Sequence, residues 1–327
     1  MNQFSKPYSR LLFIISLASL LTACQSVDEL LNVKPEGYDV VPKEPGKVRF
    51  VAVGDTGKGN IGQQKVADVI KAKCEKDGCD FVLVLGDNIY GSGVDSVNDP
   101  QFQTKFEAPY KEISLPFYMV LGNHDYGGDG AGYEIHKSVY QVRYTEKSSK
   151  WILPAHYYTF KAGNVSFFAL DTNAQMFNLA NEQSKDVAKW IDDSQATWRI
   201  VFGHHPYKSN GPHGNAGSYD AIPDKLKLGS GKGIKEFAES VWCGKVDLYL
   251  SGHDHSRQWL KSTCNGTSLA ISGAGASTTS LTDRNPALFQ SDNPGILYIV
   301  IEGKTLVAEF IDEHGNSEFR HITTKHD

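Results

Sequence analysis

Five times the chain runs a short apolar stretch straight into a polar cluster: KVRFVAV into GDTG, DFVLVL into GDNIY, PFYMVL into GNHD, TWRIVF into GHHP, and VDLYL into SGHDH. The stretches are rich in β-branched and aromatic residues, which marks them as buried strands. Helix-like segments lie between them: QQKVADVIKAKCEK, NEQSKDVAKWIDDS and GIKEFAESVW. In the first, Val66, Val69 and Ile70 fall on one face. Strands alternating with helices predict an α/β architecture. Two segments depart from this pattern. HYYTFKAGNVSFFALD breaks at KAGN, and GILYIVIEGKTLVAEFIDEHGNSEFRHIT breaks at EGK and EHGN, so both read as hairpins. The expected fold is two packed mixed β-sheets flanked by helices.

In α/β sheets, ligands bind beyond the carboxyl ends of the strands, where these clusters fall. Taken singly, Asp55 is a turn residue, Asn123 a turn residue or a cap, and His204 a core histidine. Taken together they supply oxygen and nitrogen donors suited to iron, zinc or manganese. His253 and His255, one residue apart in GHDH, can reach one site from a bend. Two-metal sites hold their ions about 3.5–4 Å apart, a spacing that a carboxylate can bridge. Asp87, the middle carboxylate, is the natural bridge. The net charge of -5 argues against a nucleic-acid partner. A small anionic substrate therefore needs a local positive centre, which metal ions supply.

The N-terminus reads as a targeting segment. Lys6 and Arg10 precede LLFIISLASLL, and LTAC comes next. This is a signal peptide over 1–23, whose ending resembles a bacterial lipobox with Cys24 as the lipid anchor. A tether over 24–46, marked by Pro35, Pro42, Pro45 and Gly46, leads into a catalytic domain over 47–327. The chain is then expected in the bacterial cell envelope, as a periplasmic or surface lipoprotein. Four cysteines remain and allow three pairings. The sequence-local pairs Cys74–Cys79 and Cys243–Cys264 are expected.

GDTG, GDNIY, GNHD, the VFGH of the fourth cluster, and GHDH together resemble the five-block signature of the metallophosphoesterases. Tyr90 in the second block narrows the resemblance to purple acid phosphatases. The short chain, and SGAGAS after GHDH, look most like the tartrate-resistant acid phosphatase type, over Val48 to Thr323. The resemblance implies one metal held by Asp55, Asp87, Tyr90 and His255, and a second by Asp87, Asn123, His204 and His253. Tyrosinate at the first site implies Fe(III) and a purple colour; the second takes a divalent ion, Fe, Zn or Mn. It further implies attack of metal-bound hydroxide on phosphate monoesters, including nucleotides or aryl phosphates, with His124 and His213 as catalytic groups. Asp125 is expected to orient His124, His205 to pack, and Tyr126, Tyr133 and Tyr219 to rim the site, as simple contacts or as stacking partners of an aromatic leaving group. A monomer is expected, touching membrane only through its anchor. The alternative is a phosphodiesterase or nucleotidase of the same superfamily with two divalent metals, a group that usually lacks the tyrosine. A non-enzymatic surface protein would be expected to lack a ligand, and none is missing.

Overall fold

The computed structural model describes residues 37–326, apart from 180, 224 and 226–228. The signal peptide, Cys24 and most of the tether lie outside the described residues. The described strands and helices are, in chain order, β1 (Tyr38–Val40), β2 (Lys47–Val53), α1 (Ile61–Asp77), β3 (Phe81–Leu85), β4 (Phe117–Val120), α2 (Ile135–Tyr144) and β5 (Trp151–Ile152). The middle of the chain forms β6 (Tyr158–Ala162), β7 (Val165–Ala169), α3 (Thr172–Met176), α4 (Asn181–Asp193), β8 (Trp198–Phe202) and α5 (Lys232–Phe237). Then come β9 (Leu248–Ser251), β10 (Arg257–Leu260), β11 (Ser268–Ser272), β12 (Ala287–Ser291), β13 (Gly295–Glu302), β14 (Thr305–Asp312) and β15 (Ser317–Thr324).

These strands make two mixed sheets. One has the order β1-β6-β7-β8-β9-β11-β10-β12, the other β15-β14-β13-β2-β3-β4-β5. The five strands that precede polar clusters divide between them. β2, β3 and β4 lie side by side and parallel in the second sheet, and β8 and β9 in the first. The hairpins fall where expected, β6 against β7 and β13–β14–β15 in a meander.

Aromatic side chains lock the sheets face to face. Phe50 of β2 and Phe81 of β3 stack at 5.3 Å, and both meet Phe167 of β7 edge-on, at 5.3 and 5.4 Å. Edge-to-face pairs of this kind contribute about 0.5–1.5 kcal/mol beyond their burial. β3 is buried along its whole length, as a strand covered on both faces should be. α1 is capped by Asn60, whose side chain accepts from the Gln63 amide, and it buries Val66, Val69 and Ile70 as the pattern predicted.

Both expected disulfides are present, with Cα separations of 4.9 Å for Cys74–Cys79 and 5.2 Å for Cys243–Cys264. The second closes the longer loop and is worth about 3 kcal/mol by chain entropy. The tether's boundary needs correction: Tyr38–Val40 pairs in parallel with β6, so the folded part begins before residue 47. Backbone pairing to an open sheet edge needs no particular side chains. Pro42, Pro45 and Gly46 fall between β1 and β2, outside the paired residues, so they mark that connection and not the end of the tether. No described helix is long and apolar enough to cross a membrane.

Candidate metal centre

The two sheets bring the five clusters to one place. His204, at the end of β8, reaches across to the other sheet. Its Nδ1 donates to Leu85 O of β3 at 2.8 Å. Its Nε2 faces Asn123 Oδ1 at 2.9 Å. The Asn123 amide nitrogen donates to Gly130 O, so Oδ1 is an acceptor. His253 Nδ1 lies 3.1 Å from each of these two atoms. Asp87 Oδ1 is 3.5 Å from His204 Nε2. A proton or a cation must lie among these acceptors, because lone pairs at such distances repel.

A second cluster adjoins the first. The Tyr90 hydroxyl lies 2.8 Å from His255 Nε2 and 3.1 Å from Asp55 Oδ1, and His255 Nε2 is 3.5 Å from that same oxygen. Ser277 Oγ, at 3.1 Å from His255 Nδ1, fixes the ring. Donor atoms of Asp55, Asp87 and His204 lie within 4.8 Å of one another, so the two clusters meet at Asp87.

The backbone is shaped for this convergence. Asp55, Asp87 and His253 occupy the left-handed region, with φ of 60°, 53° and 68°. Such strain in non-glycine residues gathers at functional sites. The glycines ahead of Asp87 and Asn123 make room. A Cβ on Gly86 would fall 2.6 Å from the His204 ring, and one on Gly122 would fall 2.2 Å from Asp87 Oδ1.

Charge in the pocket asks for cations. Burial, followed by the Asp55 and Asp87 carboxylates, pushes the Tyr90 phenol well above its ordinary value. Burial and the surrounding imidazoles hold His253 well below its own, so it stays neutral with a free lone pair. Burial opposes a charge on His204, yet Asp87 and Asp55 raise it overall. The donor set fits two metal ions, one beside a phenolic oxygen and one beside an amide and two imidazoles.

Comparison with known proteins agrees with this geometry. Residues 48–257 match the calcineurin-like phosphoesterase family. Purple acid phosphatase 7 of Arabidopsis thaliana is 31% identical over 73% of this chain and 73% of its own. The chain belongs to the purple acid phosphatases. Human tartrate-resistant acid phosphatase type 5 is 28% identical over 84% of this chain and 90% of its own. A purple acid phosphatase from yellow lupin seeds superposes with a TM-score of 0.65 at 18% identity, over 86% of this chain and 55% of that one. At that identity the likeness speaks for the fold alone.

In this purple acid phosphatase the two expected catalytic histidines border the clusters. The His124 ring lies 4.5 Å from that of Tyr90, and its Nδ1 is 2.6 Å from Gly91 O. The His213 ring stacks on His253 at 4.1 Å. His213 Nδ1 meets Asp220 Oδ1 at 2.9 Å, and its backbone amide donates to Asp254 Oδ1. His205 is buried with Nδ1 against Thr172 Oγ1 at 2.8 Å, and a ring nitrogen of it lies within 4.8 Å of ring nitrogens of His204 and His253.

Three expectations fail. Asp125 does not orient the His124 ring; it accepts from the amides of Asn88, Ile89 and Gly122 and from Gln141, tying the loop after β3 to the loop after β4. A carboxylate one residue from His124 was closer in space to backbone donors than to the ring. Tyr126 and Tyr219 do not rim the site: both are buried, their hydroxyls bonded to Asp171 and Pro206 O. Asp220 and Thr172 gave no sequence signal: Asp220 meets His213 through the fold of their shared loop, and Thr172 Oγ1 meets the amides of His204 and His205 and the His205 ring from a segment about thirty residues away.

Removing metal should leave the crowded atoms of Asn123, His204 and His253 with only protons to hold them together. Ions at a hundred to a thousand times their Kd contribute roughly 3–4 kcal/mol to stability. Exhaustive chelation should then lower the melting temperature by about 5–10 °C, measured by calorimetry. An unchanged melting temperature would mean that the cluster holds no stabilising ion.

Proposed function

We propose that this chain is an acid phosphatase that hydrolyses phosphate monoesters to an alcohol and inorganic phosphate at a pair of metal ions. The first ion takes Asp55, Asp87, Tyr90 and His255; the second takes Asp87, Asn123, His204 and His253. Fe(III) suits the first because a phenolate is a hard anionic oxygen. A divalent Fe, Zn or Mn suits the imidazoles and amide of the second. The observation that carries this reading is the Tyr90 hydroxyl, 2.8 Å from His255 Nε2 and 3.1 Å from Asp55 Oδ1. Among buried carboxylates alone a phenol stays protonated, and a trivalent ion reverses that preference.

Bound there, the ions supply positive charge to a phosphoryl group and acidify water so that it can attack below neutral pH. The chain's own residues do the rest. Asp55 and Asp87, 0% and 2% exposed, keep the pocket's carboxylates away from bulk water. The Gly91 carbonyl accepts the Nδ1 proton of His124, leaving Nε2 to face the ester. Asp220 does the same for His213. As an imidazolium, one of these two rings gives its Nε2 proton to the departing oxygen and keeps its Nδ1 proton, and the other donates Nε2–H to the phosphate.

The purified protein should absorb in the visible, and Tyr90→Phe should bleach it and lower iron by elemental analysis; unchanged absorbance would remove Tyr90 from the first metal. The variant His124→Ala should lower kcat by about 10²-fold with metal content unchanged, and full activity would exclude it from proton transfer. We also propose that the chain is exported as an envelope lipoprotein anchored through Cys24. Mass spectrometry of the N-terminal peptide should show acyl chains on that thiol, and an unmodified thiol would count against the anchor.

A further inference from the structure

We propose that His205 is a further binding residue of this site: its Nε2–H donates a hydrogen bond to the tetrahedral oxyanion held at the second metal ion. The inference rests on the metal-centre reading above and adds to it a residue outside both ligand sets.

The tautomer of His205 follows from Thr172. A hydroxyl has one proton and two lone pairs. The backbone amides of His204 and His205 donate to Thr172 Oγ1 at 3.3 and 3.1 Å. With both lone pairs taken, the Thr172 proton goes to the third neighbour, His205 Nδ1 at 2.8 Å. Nδ1 therefore accepts, and the ring's own proton sits on Nε2. That Nε2–H has no hydrogen-bond partner among the described residues, where the contacts of His205 run through its Nδ1, its amide and its carbonyl. The residue is only 2% exposed. A buried donor without an acceptor is costly, and native structures rarely leave one. The acceptor for this proton therefore comes from outside the chain.

The position of the ring says what that acceptor is. The His205 ring lies against the two imidazoles assigned to the second ion, 4.9 Å from that of His204 and 4.5 Å from that of His253 between centroids. One of its nitrogens falls within 4.8 Å of nitrogens of both. Tyr219 stacks on it from the other side at 6.2 Å. The backbone is pinned as well, since the His205 carbonyl accepts from the Tyr249 hydroxyl at 2.6 Å while the amide is held by Thr172. The donor is thus oriented before any ligand arrives. A phosphoryl group at the second ion brings anionic oxygens to these imidazoles, and charged acceptors make the stronger hydrogen bonds. A metal ion is the other occupant this corner could take. Thr172 argues against it, because a ligating nitrogen needs its lone pair, and here Nδ1 spends its own on the hydroxyl while Nε2 carries the proton.

The test uses the metal-loaded protein, with inorganic phosphate as the probe. Isothermal titration gives the phosphate affinity, and elemental analysis gives metal per chain. His205→Asn keeps a polar group within reach of Thr172 and leaves nothing at the Nε2 position, whereas His205→Gln places an N–H there. The Asn variant should bind phosphate about ten-fold more weakly, as expected for one lost hydrogen bond to an anion, with metal content unchanged. The Gln variant should stay close to the wild type. Equal affinity in the Asn variant overturns the proposal, and so does its loss of a metal ion, which would make His205 a ligand. Should that variant fail to fold, nitrogen NMR of the histidine-labelled wild type loaded with zinc decides alone. The His205 Nε2–H should be present and should move downfield when phosphate is added; a proton on Nδ1, or an unmoved Nε2–H, overturns the proposal. A wild type that takes up no metal ends the metal-centre reading and this inference with it. One that takes up metal and binds phosphate without help from His205 ends this inference alone.

Discussion

Asn123 Oδ1 and His204 Nε2 face each other at 2.9 Å, a contact that holds only with a proton or a cation between them. Their orientations are fixed from behind, by Gly130 O and Leu85 O. A proton on His253 Nδ1 can satisfy one of them. A cation satisfies both, together with the Asp87 carboxylate. The rest of the fold maintains this opposition. His204 belongs to one sheet and its backbone partner Leu85 to the other, so the imidazole spans the seam between sheets. Nearby, the Gly54 amide donates to Ser272 O and the His253 amide to Asp55 Oδ2, fastening the same seam. The buried stack of Phe50, Phe81 and Phe167 holds the faces in register below it.

Division of labour follows from that placement. Strand ends supply the buried groups of the clusters, and loops supply the histidines at their margin. Asp55, Asp87 and His204 are buried, while His124 and His213 sit at the margin with one ring nitrogen already engaged. A loop histidine whose Nδ1 is held by a carbonyl or a carboxylate presents Nε2 in a defined direction, which proton transfer requires.

The strand-plus-cluster pattern made most of this legible. A buried strand announces itself by composition, and a polar cluster after it marks the edge where ligands collect. Hairpins were legible too, since KAGN, EGK and EHGN are local turn signals. Pairings between distant segments were not. β1 adds to β6 across more than a hundred residues through backbone alone, and no side chain encodes that choice. The order β9-β11-β10-β12 was equally silent, being a matter of which edges remain open. Asp125 shows the same limit within the site. Its neighbour in sequence suggested a ring partner, but the fold delivered five donors: three from the loop after β3, one from α2 and one from its own turn.

Two buried groups away from the metal-centre residues suit a protein that works in acid. His156 is buried against Ser138, and desolvation lowers it to about 4. As pH falls from 6.5 toward 4 the unfolded chain gains a proton that the folded one refuses, so the native state loses stability, on the order of 3 kcal/mol. Asp171 titrates in the opposite sense. Burial raises it to about 6, against an ordinary 3.8. Its folded carboxyl takes up a proton as pH falls through about 6, before the unfolded one does, and the native state regains a similar amount. The two effects overlap between about pH 4 and 6 and largely cancel. An isolated buried histidine would be a liability for an acid phosphatase. Because a buried carboxylic acid titrates against it, its contribution to the pH dependence of stability is largely offset.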